Sequence, residues 1–285
     1  MPWARLISGA VALFLALGLV VLGGWYFTLG VGILVFLGQL EYFDLARVKG
    51  IAPAAKTTLV VSQGLLVVAN GWPPLADMIL PVAGTLICFY LLFQPKLATI
   101  ADIAASILGL FYGGYLPSFW VRLRGLGQDV AANLPLEGFW PAGDQPWPVG
   151  LTSTLVAFGC IWASDIGSYA FGKTFGRTRL SQISPRKTVE GAVFGILASV
   201  TVAVTAAGRL GWPHWWATGL GLGLMIGIAS LLGDLTESMM KRDAGVKDSS
   251  QLIPGHGGIL DRADSYVFTA PLAYYFVTLL LPLLA

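Results

Sequence analysis

Asp234, Glu237, Ser238 and Lys241 recur at spacings of three, four and seven residues, so a helix would carry all four on one face. Asp261 and Asp264 repeat the pattern further along the chain. Carboxylates on two helices can converge on a hard cation such as Mg²⁺, which takes oxygen ligands and keeps waters for a phosphate. Between the two sets lies Gly255-His256-Gly257-Gly258, whose backbone amides could approach phosphate oxygens closely. Lys241, Arg242, Lys247 and Arg262 can neutralise a polyphosphate. Acid, base and glycine together are the parts of metal-assisted phosphoryl or nucleotidyl transfer, where catalysis is mostly positioning plus charge neutralisation. No one of these elements is specific alone.

The elements that must hold these residues are helices in a bilayer. Of the 285 residues, 56% are hydrophobic and only 11% charged, against roughly 25% charged in a soluble domain. Mean hydropathy is +0.75. One soluble core could not hide so much apolar surface, and repeated apolar runs of spanning length account for it better. The fold class is therefore an all-α polytopic membrane protein. Nine segments could span, at 6–22, 25–40, 57–70, 75–93, 100–120, 149–171, 191–208, 215–235 and 266–284. The third is short for a crossing of about 20 helical residues, so a tilted, buried or re-entrant segment stays open there. Arg5 and the apolar run after it read as a retained first span.

Half of the charged residues fall in two stretches, six within 173–190 and ten within 234–264. With the N-terminus cytoplasmic and nine crossings, both stretches lie inside, and 14 of the 17 Lys and Arg face the cytoplasm. Only Arg122, Arg124 and Arg209 stay outside. That is the asymmetry of the positive-inside rule, and it places the C-terminus outside. Trp25, Trp72, Trp147, Trp212 and Trp215 sit near span ends, as an interfacial belt would. Cys88 and Cys160 fall within apolar runs and form no disulfide or metal pattern. With His214 and His256 the only histidines, a histidine-rich metal site is excluded, and the net charge of +2 gives no reason to expect nucleic acid.

Ser238-x-Met240-Lys241-Arg242-x4-Lys247-Asp248-x-Ser250-x2-Ile253-Pro254-x-His256-Gly257-Gly258-Ile259-x-Asp261-Arg262-Ala263-Asp264 resembles the signature of the phosphatidate cytidylyltransferases, also called CDP-diacylglycerol synthases. Ala263 stands where that pattern usually has a larger apolar residue or Thr. An upstream block, Trp162-Ala163-Ser164-Asp165 with Tyr169, Gly172, Gly176 and Ile183-Ser184-Pro185-Arg186-Lys187-Thr188-Val189-Glu190-Gly191, resembles the family's second motif, with Val189 where Trp is common. The resemblance implies that CTP and phosphatidate give CDP-diacylglycerol and pyrophosphate with Mg²⁺. A second cation such as K⁺ stays open. With the acidic pattern read above, the expected metal and catalytic residues are Asp234, Asp261 and Asp264, with Lys241 a further catalytic residue. Candidate substrate contacts are Arg242, Lys247, Asp248, Gly255, His256, Gly257, Gly258, Arg262, Ser164, Asp165, Lys173, Arg186 and Lys187.

The expected organisation is a helical scaffold over 1–120, an extracytoplasmic loop over 121–148 and a catalytic membrane region over 149–285. The partners are CTP, phosphatidate and membrane lipid, with a homodimer implied by the resemblance. The expected place is a bacterial-type inner membrane with the site facing the cytoplasm. Two other readings stay open. A polyprenol or dolichol-type kinase would take the γ-phosphoryl of CTP, and an ion-coupled transporter would string Asp102, Asp165 and Asp234 along a path.

Overall fold

The computed structural model describes residues 2–127, 147–252 and 257–284. The expected loop segment 128–146 and the candidates Gly255 and His256 lie outside the described residues. Helices run over α1 (Pro2–Leu22), α2 (Gly24–Val48), α3 (Ala55–Gly71), α4 (Pro73–Leu92), α5 (Ile100–Arg124), α6 (Val149–Phe175), α7 (Val189–Arg209), α8 (Trp215–Asp243) and α9 (Leu260–Leu283). The helical class is as expected. Seven of these, α2 and α4 to α9, are long and apolar enough to cross a membrane. The helices α1 and α3 coincide with the first and third apolar segments, and α3 has only 17 residues.

Local chemistry sets several of the boundaries. Pro73 and Pro74 open α4, where the missing N–H costs nothing. Thr99 and Asp102 form a reciprocal capping box at the start of α5. Asp102 also accepts the amide of Ala52 at 2.6 Å, so it fixes the turn before α3. Two π-turns, Phe111–Tyr115 in α5 and Phe276–Leu280 in α9, each end two residues before a proline, Pro117 and Pro282. A proline within a helix removes one i→i−4 bond, and a π-turn is one way for the backbone to absorb that loss.

The chain forms two compact units. One comprises Met1–Leu151 with Ala244–Ala263, the other Thr152–Asp243 with Asp264–Ala285.

In the first unit, Val35, Leu65, Leu66, Ala69, Ala76 and Val121 form a buried cluster. Gln39 ties α2 to its neighbours, donating to Ser62 Oγ at 2.7 Å and to the Gly109 carbonyl at 2.9 Å. Two of the three arginines expected outside, Arg122 and Arg124, are buried, whereas Arg209 is exposed. Arg122 pairs with Asp77 at 2.8 Å and lies 4.3 Å from the centre of the Phe119 ring. Arg124 donates to the carbonyls of Val20 and Val21 at the end of α1.

In the second unit, α7 and α8 approach almost backbone to backbone. Gly219, Gly223 and Gly227 face Val204, Val200 and Ile196, and a Cβ on Gly227 would come within 3.1 Å of the Ile196 Cα. Ser199 Oγ donates to the Gly223 carbonyl at 2.9 Å. Small residues four apart permit this contact, which in lipid is driven by van der Waals packing and hydrogen bonds.

Candidate active site

Three helices of the second unit each deliver one carboxylate: Asp165 from α6, Asp234 from α8 and Asp264 from α9. Asp264 feels the charges of both Asp234 and Asp165, and Lys187 acts on Asp165 and Asp264. Lys187 forms an ion pair with Asp234 Oδ2, and Ser238 Oγ donates to Oδ1 at 3.4 Å. Ser230 and Ser265 lie beside Asp165, and the Ser265 amide donates to Asp264 Oδ1 at 2.7 Å. Asp165 is exposed and the other two are half-buried, so the carboxylates remain accessible to a ligand.

The positions of these groups follow from the packing around them. Gly233 brings α8 against the Asp264 carbonyl on α9 with no room for a side chain. Trp162 Nε1 donates to the Tyr266 hydroxyl at 2.5 Å, and Phe158 packs edge-on to the same ring, which sets α9 against α6. Lys187 is held by the loop between α6 and α7. There Leu180 N donates to the Lys187 carbonyl at 2.9 Å and Val189 N to the Thr178 carbonyl at 2.9 Å. Glu190 accepts the amides of Arg177 and Thr178, both at 3.1 Å, and Thr188 caps α7.

Other expected site residues of this unit have different surroundings. Lys241 is buried and pairs with Glu237 at 2.5 Å, so the i, i+4 spacing on α8 joins these two and leaves Asp234 to Lys187. Ser164 is buried. Arg242, Lys173 and Arg186 are exposed, with the Lys173 ammonium 5.9 Å from the centre of the Tyr169 ring.

Asp261 belongs to the first unit, where it organises the glycine segment. Its Oδ2 accepts from Gly258 N at 2.8 Å and Ser249 N at 3.0 Å, and lies 3.0 Å from Ser249 Oγ. Gly257 has φ +84°, a backbone that side-chain-bearing residues rarely adopt. Lys247, Asp248 and Arg262 are exposed. One residue that the motifs did not name enters here. Glu41 of α2, 5% exposed, accepts from Ser250 Oγ at 2.5 Å, Ser249 Oγ at 2.8 Å, Ile259 N at 3.0 Å and Leu260 N at 2.8 Å. A carboxylate at the end of an apolar run was the available signal, since charge near membrane depth is costly and tends to have a purpose.

Among the described residues no three His, Cys, Asp or Glu side chains are gathered tightly enough to grip a metal ion as they stand. The donor set of Asp165, Asp234 and Asp264 is nonetheless oxygen throughout, which suits a hard divalent cation. Asp102, needed for an ion path, is committed to capping α5 and to Ala52.

Fold and site together define a multi-pass membrane protein whose acidic cluster, beside a lysine, suits metal-assisted phosphate chemistry. The sequence matches the pattern of the Cytidylyltransferase family over residues 3–280, and the chain belongs to that family. It is 62% identical to a phosphatidate cytidylyltransferase of Synechocystis sp., over 100% of this chain and 99% of that one. Identity to phosphatidate cytidylyltransferase 4, chloroplastic, of Arabidopsis thaliana is 43%, over 96% and 72% of the two chains. Identity to a phosphatidate cytidylyltransferase of Bacillus subtilis is 30%, over 96% and 97%.

Proposed function

We propose that this chain transfers the cytidylyl group of CTP to phosphatidate, giving CDP-diacylglycerol and pyrophosphate. The observation that carries the reading is the meeting of Asp165, Asp234 and Asp264 with Lys187. Asp165 and Lys187 come from one of the two blocks that resemble the family and Asp264 from the other, and relatives across most of the chain's length bear the name of this activity.

A phosphatidate phosphate oxygen, already largely ionised near pH 7, attacks the α-phosphorus of CTP in line. The new P–O bond forms as the bond from the α-phosphorus to the bridging oxygen of the β-phosphate breaks, and pyrophosphate leaves. Asp234 and Asp264, with Asp165 beside them, would hold Mg²⁺, which when bound neutralises charge on the phosphate oxygens. The resemblance adds Asp261 as a ligand, and that part rests on the signature. Lys187 orients Asp234. The exposed cations Arg242, Lys247, Arg262, Lys173 and Arg186 neutralise the phosphates of the two substrates, with Asp248 and the Gly255–Gly258 segment as further contacts. Lys241, through Glu237, fixes the end of α8.

The same proposal has nine crossings, a cytoplasmic N-terminus, an external C-terminus and a site facing the cytoplasm of a bacterial-type inner membrane. A homodimer and a second cation such as K⁺ belong to it on the resemblance alone.

The test supplies purified protein with phosphatidate, Mg²⁺ and CTP labelled at the α- or the γ-phosphate. Label entering lipid only from α-labelled CTP, with pyrophosphate released, is the expected result. Label entering only from the γ position would make the protein a lipid kinase, and no label from either would overturn both readings.

A further inference from the structure

We propose that Glu41 is a positioning residue for the transfer reaction, acting by clamping the two ends of the signature segment together; the proposal rests on the reaction assigned above. Glu41 sits on α2 and its partners lie 208 to 219 residues away. A buried carboxylate is costly unless its oxygens are satisfied, and here each oxygen takes two donors. Oε1 takes Ser250 Oγ and Ile259 N, and Oε2 takes Ser249 Oγ and Leu260 N.

The two amides open α9, where the first N–H groups of a helix lack internal partners and a negative charge is favoured. Glu41 therefore caps, from another helix, the helix that carries Asp261, Arg262 and Asp264. The two hydroxyls belong to the strand of chain that follows Lys247 and Asp248. One carboxylate thus gathers both ends of the segment, and Ser249 links it to Asp261, whose Oδ2 accepts the Ser249 amide and lies within hydrogen-bond distance of its hydroxyl. Gly258 passes between Glu41 and Ser249 with no space for a Cβ.

Four donors on two oxygens also explain why the residue must be an acid. Glutamine has nearly the same shape, but its NH₂ end would face either Ile259 N or Leu260 N. A serine hydroxyl can rotate to accept from that group, whereas a backbone amide cannot. Glu41→Gln should therefore break the cap while filling the same volume, and Glu41→Asp, a shortened carboxylate, should restore part of it.

The experiment measures CTP kinetics with phosphatidate in detergent micelles, and amide hydrogen exchange on the same full-length preparations. In Glu41→Gln, kcat should fall roughly tenfold or more, the scale of one lost hydrogen bond to a charge. Exchange of the amides in 247–252 and 257–262 should quicken by a similar factor, while α3 and α5 keep wild-type protection. Glu41→Asp should recover more of both than Gln does. Wild-type exchange in the Gln variant overturns the clamp. Quickened exchange with kcat within about twofold of wild type overturns the positioning role. Should the Gln variant lose protection throughout, Ser250→Ala, which removes one donor and leaves the acid, carries both readouts with the same expected directions and the same overturning results. A wild type that transfers no cytidylyl group refutes the reaction itself, and is distinguishable because exchange needs no turnover.

Discussion

Lys187 pairs with Asp234, joining the block that precedes α7 to the acidic face of α8. The pair gives three neighbouring carboxylates one fixed cation, and the loop that supplies it is braced by Glu190 and Thr188. Lys187→Ala should lower turnover by about 10²-fold, as loss of a single charge-stabilising donor does elsewhere. The side chains are 23% and 34% exposed, so the stability loss should stay near 1 kcal/mol. Turnover and the thermal midpoint on one preparation check both, and a large midpoint shift would make the lysine a structural strut.

Asp234→Asn and Asp264→Asn should each raise the Mg²⁺ concentration needed for half-maximal activity, besides lowering the maximum. Each removes a charged oxygen from a set facing a hard cation. A Mg²⁺ titration of wild type, both variants and a chelator-treated control checks this. An unchanged half-saturation in both would remove them from the metal set.

Gly258→Ala should damage the signature segment, because its Cβ would overlap Ser249 Oγ and the Glu41 carboxylate. Overpacking of this kind costs about 1–3 kcal/mol. It is expected as local opening, read by proteolysis within residues 244–263, with activity falling in step. Normal activity would mean that this tight passage has no catalytic importance.

The acidic face of α8 was legible because helical spacing alone aligns Asp234, Glu237, Ser238 and Lys241. Their pairing was not, since spacing permits Lys241 to reach either acid and Lys187 lies on a distant loop. The apolar runs gave the helices, but the capping role of Asp102 needs Ala52, 50 residues away. Glu41 stands out only as a carboxylate at the end of an apolar run, and its role was illegible because its partners lie 208 to 219 residues away. Ser249, Ser250 and the start of α9 find their acceptor on α2, a contact that chain order does not reveal.

Gly223→Val should separate α7 from α8. The added side chain would strike Val200 backbone and displace the carbonyl that Ser199 uses, costing on the order of 2 kcal/mol. The thermal midpoint in detergent should fall, with activity lost at temperatures where wild type survives. Gly221→Val, one step around α8, meets only the edge of Phe276 at 3.6 Å and should be far milder. Equal damage from both would refute the close-approach account.

Arg122 and Arg124 are two residues apart, both buried, and should respond oppositely to methionine. Arg124→Met removes the donors that satisfy Val20 and Val21 at the end of α1, where helix carbonyls have no internal partner. Two orphaned acceptors outweigh the relief of deleting one buried guanidinium nitrogen that lacks a partner, and a loss of about 2 kcal/mol follows. Arg122→Met deletes two such unpartnered nitrogens and gives up a pair whose Asp77 side chain is 53% exposed and can rehydrate. Methionine also keeps contact with Phe119, so the change should stay within about 1 kcal/mol. Neither arginine is among the residues assigned to the reaction, so activity per folded molecule should hold in both. Denaturation midpoints of the two variants side by side decide it, and a costlier Arg122→Met would show that the Asp77 pair is the stronger tie.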